Sequence, residues 1–79
     1  MPDEVETEIL RLADSVPGVS EPHELRTRRI GNHYAIELHI LVDGDLPLRE
    51  AHDTASQVED LLRSHYGEET HIAVHVEPI

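Results

Sequence analysis

The chain has 79 residues, among them 17 acids, seven histidines and six arginines, with no lysine or cysteine and a formal net charge of −11. That charge argues against nucleic acid as a partner, because phosphate binding needs a basic surface. Without cysteine, disulfides, thiolate metal sites and thiol catalysis are excluded, and histidine nitrogen and carboxylate oxygen remain as the strong metal ligands.

The length predicts one domain over residues 1–79, small enough to gain stability from a metal ion or from a second copy of the chain. No apolar run approaches the roughly 20 residues needed to cross a bilayer. We therefore expect no direct insertion into a membrane and no signal peptide before the first predicted helix.

The first predicted element is an amphipathic helix over residues 3–16. Its apolar residues fall at offsets 0, 4, 7 and 11, which is one helical stripe: Val5, Ile9, Leu12 and Val16. The proline and glycine that follow end the helix.

A strand hairpin is predicted next. Its first strand covers residues 23–30, where Leu25 and Ile30 have opposite parity; a bulge would restore the register. Gly31, Asn32 and His33 form the turn, because glycine and asparagine accept positive φ angles. The second strand covers residues 34–42 and alternates cleanly between apolar residues and residues for the other face.

The last two elements are a helix from Pro47 to about Tyr66 and a strand over residues 70–78. The apolar stripe of this helix is predicted to comprise Leu48, Ala51, Ala55, Val58 and Leu62. Helix, strand, strand, helix, strand is the resulting order. It predicts an α+β domain with a three-stranded sheet and both helices on the apolar face of that sheet.

Three potential metal ligands share the face that the helices leave uncovered. By strand alternation alone, His39 lies on this face of the second strand, and His75 and Glu77 lie on it in the third. Histidine nitrogen and carboxylate oxygen suit zinc and similar divalent ions. The pattern indicates a divalent metal site, with a solvated polar strip as the alternative.

Two further histidines are candidate ligands with less direct support from the pattern. His52 lies at the flank of the second helix, so it can reach the sheet only near an edge or across a dimer; otherwise it is a boundary residue. His23 begins the first strand, where it is either a ligand or a capping or loop residue.

The remaining histidines and the arginines are interpreted as surface residues. We expect His33 and His65 to be exposed to solvent, with His71 exposed or a peripheral ligand. Clustered arginines over residues 26–29 are expected to be salt-bridge partners of the abundant acids, with an anion-binding patch as the alternative. The chain has no nucleophile motif, no phosphate-binding glycine loop and no His-Glu-x-x-His, so we do not expect an enzyme.

Several short segments, taken together in their order and spacing, form a specific pattern. They are Val16-Pro17-Gly18-Val19, His23-Glu24-Leu25-Arg26-Thr27-Arg28, Gly31, Leu38-His39-Ile40, Leu46-Pro47-Leu48, Glu50-Ala51-His52 and Val74-His75-Val76-Glu77-Pro78. This pattern resembles the C-terminal cytoplasmic domain of cation diffusion facilitator transporters and covers nearly the whole chain. At Glu24 the family often has aspartate.

The resemblance implies a fold similar to metallochaperone domains and a homodimer that holds metal ions at or near its interface. Its ligand set, carried over by position, is His23, His39, His52, His75 and Glu77. Glu77 stands where many relatives have aspartate. Either carboxylate can bridge two ions, and the resemblance suggests two ions that share one carboxylate per subunit.

The function that the resemblance implies is cytoplasmic metal sensing for an efflux transporter, in which metal binding closes the dimer and favours transport by the membrane domain. The expected cofactor is a divalent ion, foremost Zn²⁺, with Fe²⁺, Ni²⁺, Co²⁺, Cu²⁺, Cd²⁺ and Mn²⁺ compatible with such ligands. Two alternatives stay open: a free-standing metal buffer or chaperone, and a plain dimerisation module whose histidines bind no metal.

Overall fold

The computed structural model describes residues 3–79 and has the predicted order of elements. These are helix α1 (Asp3–Asp14), strand β1 (Ser20–Ile30), strand β2 (His33–Val42), helix α2 (Leu48–Tyr66) and strand β3 (His71–Pro78). Within this part of the chain no helix combines the length and the apolarity that crossing a membrane requires.

The three strands form one mixed sheet in the order β1-β2-β3. β1 and β2 are antiparallel and are joined by the short turn at residues 31–32, whereas β2 and β3 are parallel and are joined through α2. A parallel pair needs such a long crossover. The central position of β2 places its side chains next to those of both neighbours.

Strict alternation along β2 builds the middle of the core. Ile36, Leu38, Ile40 and Val42 are at most 3% exposed, as expected for side chains that all point to one face of the sheet. Both helices contribute buried apolar residues to the same cluster, namely Ile9, Leu12, Ala13, Val58 and Leu62. The helices therefore cover the apolar face, and the other face of the sheet remains open.

The boundaries and one core residue differ from the prediction. α1 ends at Asp14, two residues early, although Val16 is still buried at 6% exposure. β1 begins three residues early, at Ser20. Leu48, predicted on the apolar stripe of α2, is 86% exposed. It is the first residue of the helix, and contact with the core begins one turn later, at Ala51.

β1 contains two irregularities, but neither restores the register of Leu25 and Ile30 as predicted, because pairing from Arg26 to Ile30 is regular and Ile30 is 50% exposed. Ser20 pairs with Leu41, His23 with His39 and Arg26 with Glu37, so β1 advances three residues for every two of β2 in each interval. Each interval holds one non-glycine residue with positive φ: Glu21 at 43° and Glu24 at 50°. These are two β-bulges. Left-handed backbone costs an L-residue about 1 to 2 kcal/mol, so both bulges are strained.

Candidate metal centre

Three histidines lie side by side on the open face of the sheet, one from each strand. His39 is directly opposite His23 on β1 and directly opposite His75 on β3. The rings of His39 and His75 are stacked, with centroids 4.6 Å apart and an interplanar angle of 16°, and the centroids of His23 and His39 are 5.5 Å apart. The in-register pairing of the strands produces this row.

Glu77 joins two of these histidines through a single oxygen. Its Oε1 lies 3.2 Å from Nε2 of His23 and 3.2 Å from Nδ1 of His39. Donor atoms of His23, His39 and Glu77 all lie within 4.8 Å of one another. Ligands about 2.1 Å from a tetrahedral ion stand roughly 3.4 Å apart. The spacing and the N₂O donor set therefore fit a zinc-like ion.

The hydrogen bonds of His23 favour a ligand role for its outer nitrogen. Nδ1 of His23 lies 2.7 Å from the carbonyl oxygen of Glu21. A carbonyl can only accept, so Nδ1 donates and Nε2 of the neutral ring keeps its lone pair, directed at Glu77. Chiefly this backbone hydrogen bond, with the nearby carboxylates of Glu77 and Glu24, raises the pKa of His23 above its ordinary value of 6.5.

Solvent can reach the cluster. The side chains of His23, His39 and Glu77 are 37%, 25% and 46% exposed. An ion could therefore enter without opening the core, and His39, at the centre of the row, is the most enclosed of the three.

The other two predicted ligands do not join this cluster. His75 stacks on His39, but its Nε2 lies 3.3 Å from Oε2 of Glu37. His52 is exposed on α2, in the helical layer on the other side of the sheet. Within one chain, four of the five predicted residues thus share the open face and three of them converge.

The sequence interpretation missed the carboxylates and the carbonyl that contact these rings. Oε2 of Glu24 lies 3.3 Å from Nε2 of His39, and Glu37 contacts His75 in the same manner. Glu24 follows His23 directly in the sequence, and regular alternation would place it on the opposite face, so the pattern did not indicate its contact with His39. Glu37 is two residues before His39 and therefore shares its face.

The peripheral residues make separate contacts. Nδ1 of His33 lies 3.1 Å from Oε2 of Glu69, and His65 and His71 are exposed. The clustered arginines do not form the salt bridges expected of them. Among residues 3–79, the arginine that forms a salt bridge with an acid is Arg63, which lies 3.9 Å from Glu59. Arg29 instead lies over the ring of Tyr34, 5.5 Å from its centroid.

Comparisons with protein families and with known proteins point to the same family. Residues 1–79 match the model of the cation efflux protein cytoplasmic domain, ZT_dimer. The cation-efflux pump FieF of Escherichia coli O1:K1 / APEC is 40% identical over 79 residues. That match covers 99% of this chain but only 26% of the length of the pump.

Solved structures with the same fold come from similar proteins. A structure on the mode of action of CzrB, a candidate zinc transporter, is 31% identical with a TM-score of 0.89, covering 100% of this chain and 98% of that one. A variant of the MamM CTD is 26% identical with a TM-score of 0.89, covering 98% and 96%. MamM CTD structures also include a nickel form and a cadmium form.

Proposed function

The chain belongs to the family of cation efflux protein cytoplasmic domains, and from that premise we propose that it is a regulatory domain that binds a zinc-like divalent ion and closes as a homodimer. As a member of this family it is a non-enzymatic domain. The observation that carries the proposal is the convergence of His23, His39 and Glu77 from three strands, with donor atoms within 4.8 Å.

The first ion is held by these three residues. Two imidazole nitrogens and one carboxylate oxygen leave a coordination position for water or for a further ligand, since zinc prefers four ligands. The separation of the ligands along the chain supports a folded-state site, because no two of them are close in sequence and only the sheet brings them together.

His75 and His52 are assigned to a second ion that shares Glu77. His75 is two residues from Glu77 on β3, and two residues apart on a strand means the same face. His52 lies in the helical layer of its own chain, so we propose that this position is filled by His52 of the partner subunit. This assignment makes the second ion a link between the two copies.

Closure of the dimer follows from the contribution of metal ligands by both subunits. An ion stabilises only the arrangement that satisfies its ligands, and it therefore shifts the dimer toward the closed state. To change an equilibrium from 1:99 to 99:1, metal must favour the closed state by about 5.5 kcal/mol. An ion that binds across the interface can supply such a difference, whereas an ion with equal affinity for the open and closed states shifts nothing.

Calorimetric titration of the metal-free protein with zinc tests the proposal. We expect saturable binding in the wild type and much weaker binding in the His39→Ala, His75→Ala double variant, with His65→Ala as the matched control because His65 is exposed at the end of α2. A titration without heat, or the same isotherm in the double variant, would refute metal binding.

The dimer is tested separately by small-angle scattering and sedimentation with and without zinc. We expect the radius of gyration of the dimer to decrease when zinc is added, and expect His52→Ala to reduce that decrease while the cluster on each subunit still binds. An unchanged shape in the wild type would remove the regulatory part of the proposal. Competition with nickel and cadmium, the ions of two MamM CTD structures, establishes the metal preference.

A further inference from the structure

Glu24 occupies an unusual place in the fold. It has a φ of 50°, a left-handed conformation that suits glycine, and lies in a β-bulge directly after His23. Strained residues of this type persist only where the surrounding structure holds them in place, and they cluster at functional sites. Glycine would be the easier residue for either bulge; at Glu21 the backbone carbonyl contacts His23, whereas at Glu24 the side chain contacts His39.

The bulge explains how consecutive residues both reach His39. In regular β-structure His23 and Glu24 would point to opposite faces. Here Glu24 and Leu25 together oppose the single residue Leu38, and Leu25 packs against the core. Glu24 is thereby free to reach the open face, where its Oε2 lies 3.3 Å from Nε2 of His39.

His39 thus has a carboxylate at each ring nitrogen. Oε1 of Glu77 lies 3.2 Å from Nδ1 in hydrogen-bonding geometry, and Oε2 of Glu24 makes an ion-pair contact of 3.3 Å with Nε2. A neutral imidazole carries one proton, so the two carboxylates compete for it. Only when the proton is on Nε2 does Nδ1, the nitrogen next to Glu77 and His23, have a lone pair for an ion.

We propose that Glu24 is a positioning residue that accepts the Nε2 proton of His39, fixes the orientation and tautomer of this ring, and so presents Nδ1 to the metal. The proposal rests on the metal-binding function above and adds a residue to it. Histidines that bind metals usually donate their other N–H to a carboxylate or a carbonyl. His23 follows the same rule through the carbonyl of Glu21, which lies in the other bulge.

The variants separate the side chain of Glu24 from its backbone. Glu24→Gly removes the carboxylate and suits the positive φ, so the fold is retained. Glu24→Gln keeps an oxygen that can accept the N–H. Glu69→Gln is the matched control, because Glu69 forms an equivalent pair with His33, Nδ1 to Oε2 at 3.1 Å, outside the metal cluster.

Two measurements test the proposal on the complete 79-residue chain. Long-range ¹H–¹⁵N spectra of the metal-free protein, at a pH where the imidazoles are neutral, report the tautomer of His39. We expect Nε2–H in the wild type and in Glu69→Gln, and a shift toward Nδ1–H in Glu24→Gly. Zinc affinity should fall 10- to 100-fold in Glu24→Gly, less in Glu24→Gln, and remain unchanged in Glu69→Gln.

The outcomes distinguish this proposal from the one on which it rests. An unchanged tautomer in Glu24→Gly, or a shifted tautomer with unchanged zinc affinity, overturns the role of Glu24 while the metal site stands. If the wild type takes up no zinc at all, the proposed function fails, and the tautomer spectra alone still decide whether Glu24 positions the ring.

Discussion

Replacing Glu77 by glutamine should remove most of the stabilisation that zinc gives to the fold. Oε1 of Glu77 is the atom that lies 3.2 Å from both His23 and His39. In the unfolded chain the three ligands are 16 and 38 residues apart along the sequence (39 − 23 and 77 − 39). Zinc therefore binds the folded state preferentially and raises the free energy of unfolding.

The magnitude follows from linkage. At free zinc 100 times above the dissociation constant, binding adds about 2.7 kcal/mol. Each kcal/mol raises the Tm of a domain of this size by about 4 to 8 °C, so we expect a zinc-induced rise of about 11 to 22 °C. Loss of a group that only orients a ligand costs about 10- to 100-fold in affinity, so loss of a charged ligand should cost at least the upper value.

The Glu77→Gln variant should therefore show only a small rise in Tm when zinc is added. A site about 100-fold weaker, at the same free zinc, adds about 0.4 kcal/mol, which corresponds to a rise in Tm of about 2 to 3 °C. Thermal unfolding followed by circular dichroism in a zinc buffer measures both values, each relative to the same variant without metal. His65→Ala serves as the control and should respond like the wild type. An equal rise in Glu77→Gln would refute the assignment of Glu77 as a ligand.

Three other predictions follow from the structure. The pKa of His23 is raised, and only its neutral ring binds an ion. Zinc affinity should therefore be full above that raised pKa and should decline as the pH falls through it, at a higher pH than for an ordinary imidazole. Zinc titrations from pH 5.5 to 8.5 measure this dependence, and an affinity that does not change with pH would contradict it. Glu21→Gly should raise the free energy of unfolding by about 1 kcal/mol in urea denaturation. Glycine removes the strain of the left-handed backbone and keeps the carbonyl group that accepts from His23. A lower stability would show that the bulge is not strained. Leu38 is fully buried and Leu48 is 86% exposed. Leu38→Ala should therefore lower the free energy of unfolding by about 2 to 5 kcal/mol in the same assay, whereas Leu48→Ala should change it by less than about 0.5 kcal/mol. Comparable losses in the two variants would contradict the assigned core.

Local periodicity was sufficient for most of the fold. The alternation along β2 predicted its buried face, and the helical spacing in α1 and α2 predicted nearly all of their core residues. The exceptions were Leu48, which was predicted in the core but is exposed, and Ala13, which is buried but was not predicted. Periodicity identifies the side of a helix on which a residue lies, but not how far along the axis the sheet extends beneath it.

The candidate site was predictable only where strands are regular. His39, His75 and Glu77 share one face by parity, and the structure places them there. His23 could not be placed by parity, because two bulges reverse the alternation along β1 before and after it. For the same reason the contact of Glu24 with His39 was not predicted, although the two consecutive residues His23 and Glu24 stand at that bulge.

The sequence by itself determined the number and order of the elements, the buried face of β2 and the availability of histidine and carboxylate as the only strong ligands, because each depends on residue type or on neighbours a few positions away. Tertiary structure alone decided that His23, His39 and Glu77 meet within 4.8 Å, while His52 lies in the other layer. The register between strands and the strained bulges of β1 control this convergence, and both arise from packing between residues far apart in the chain.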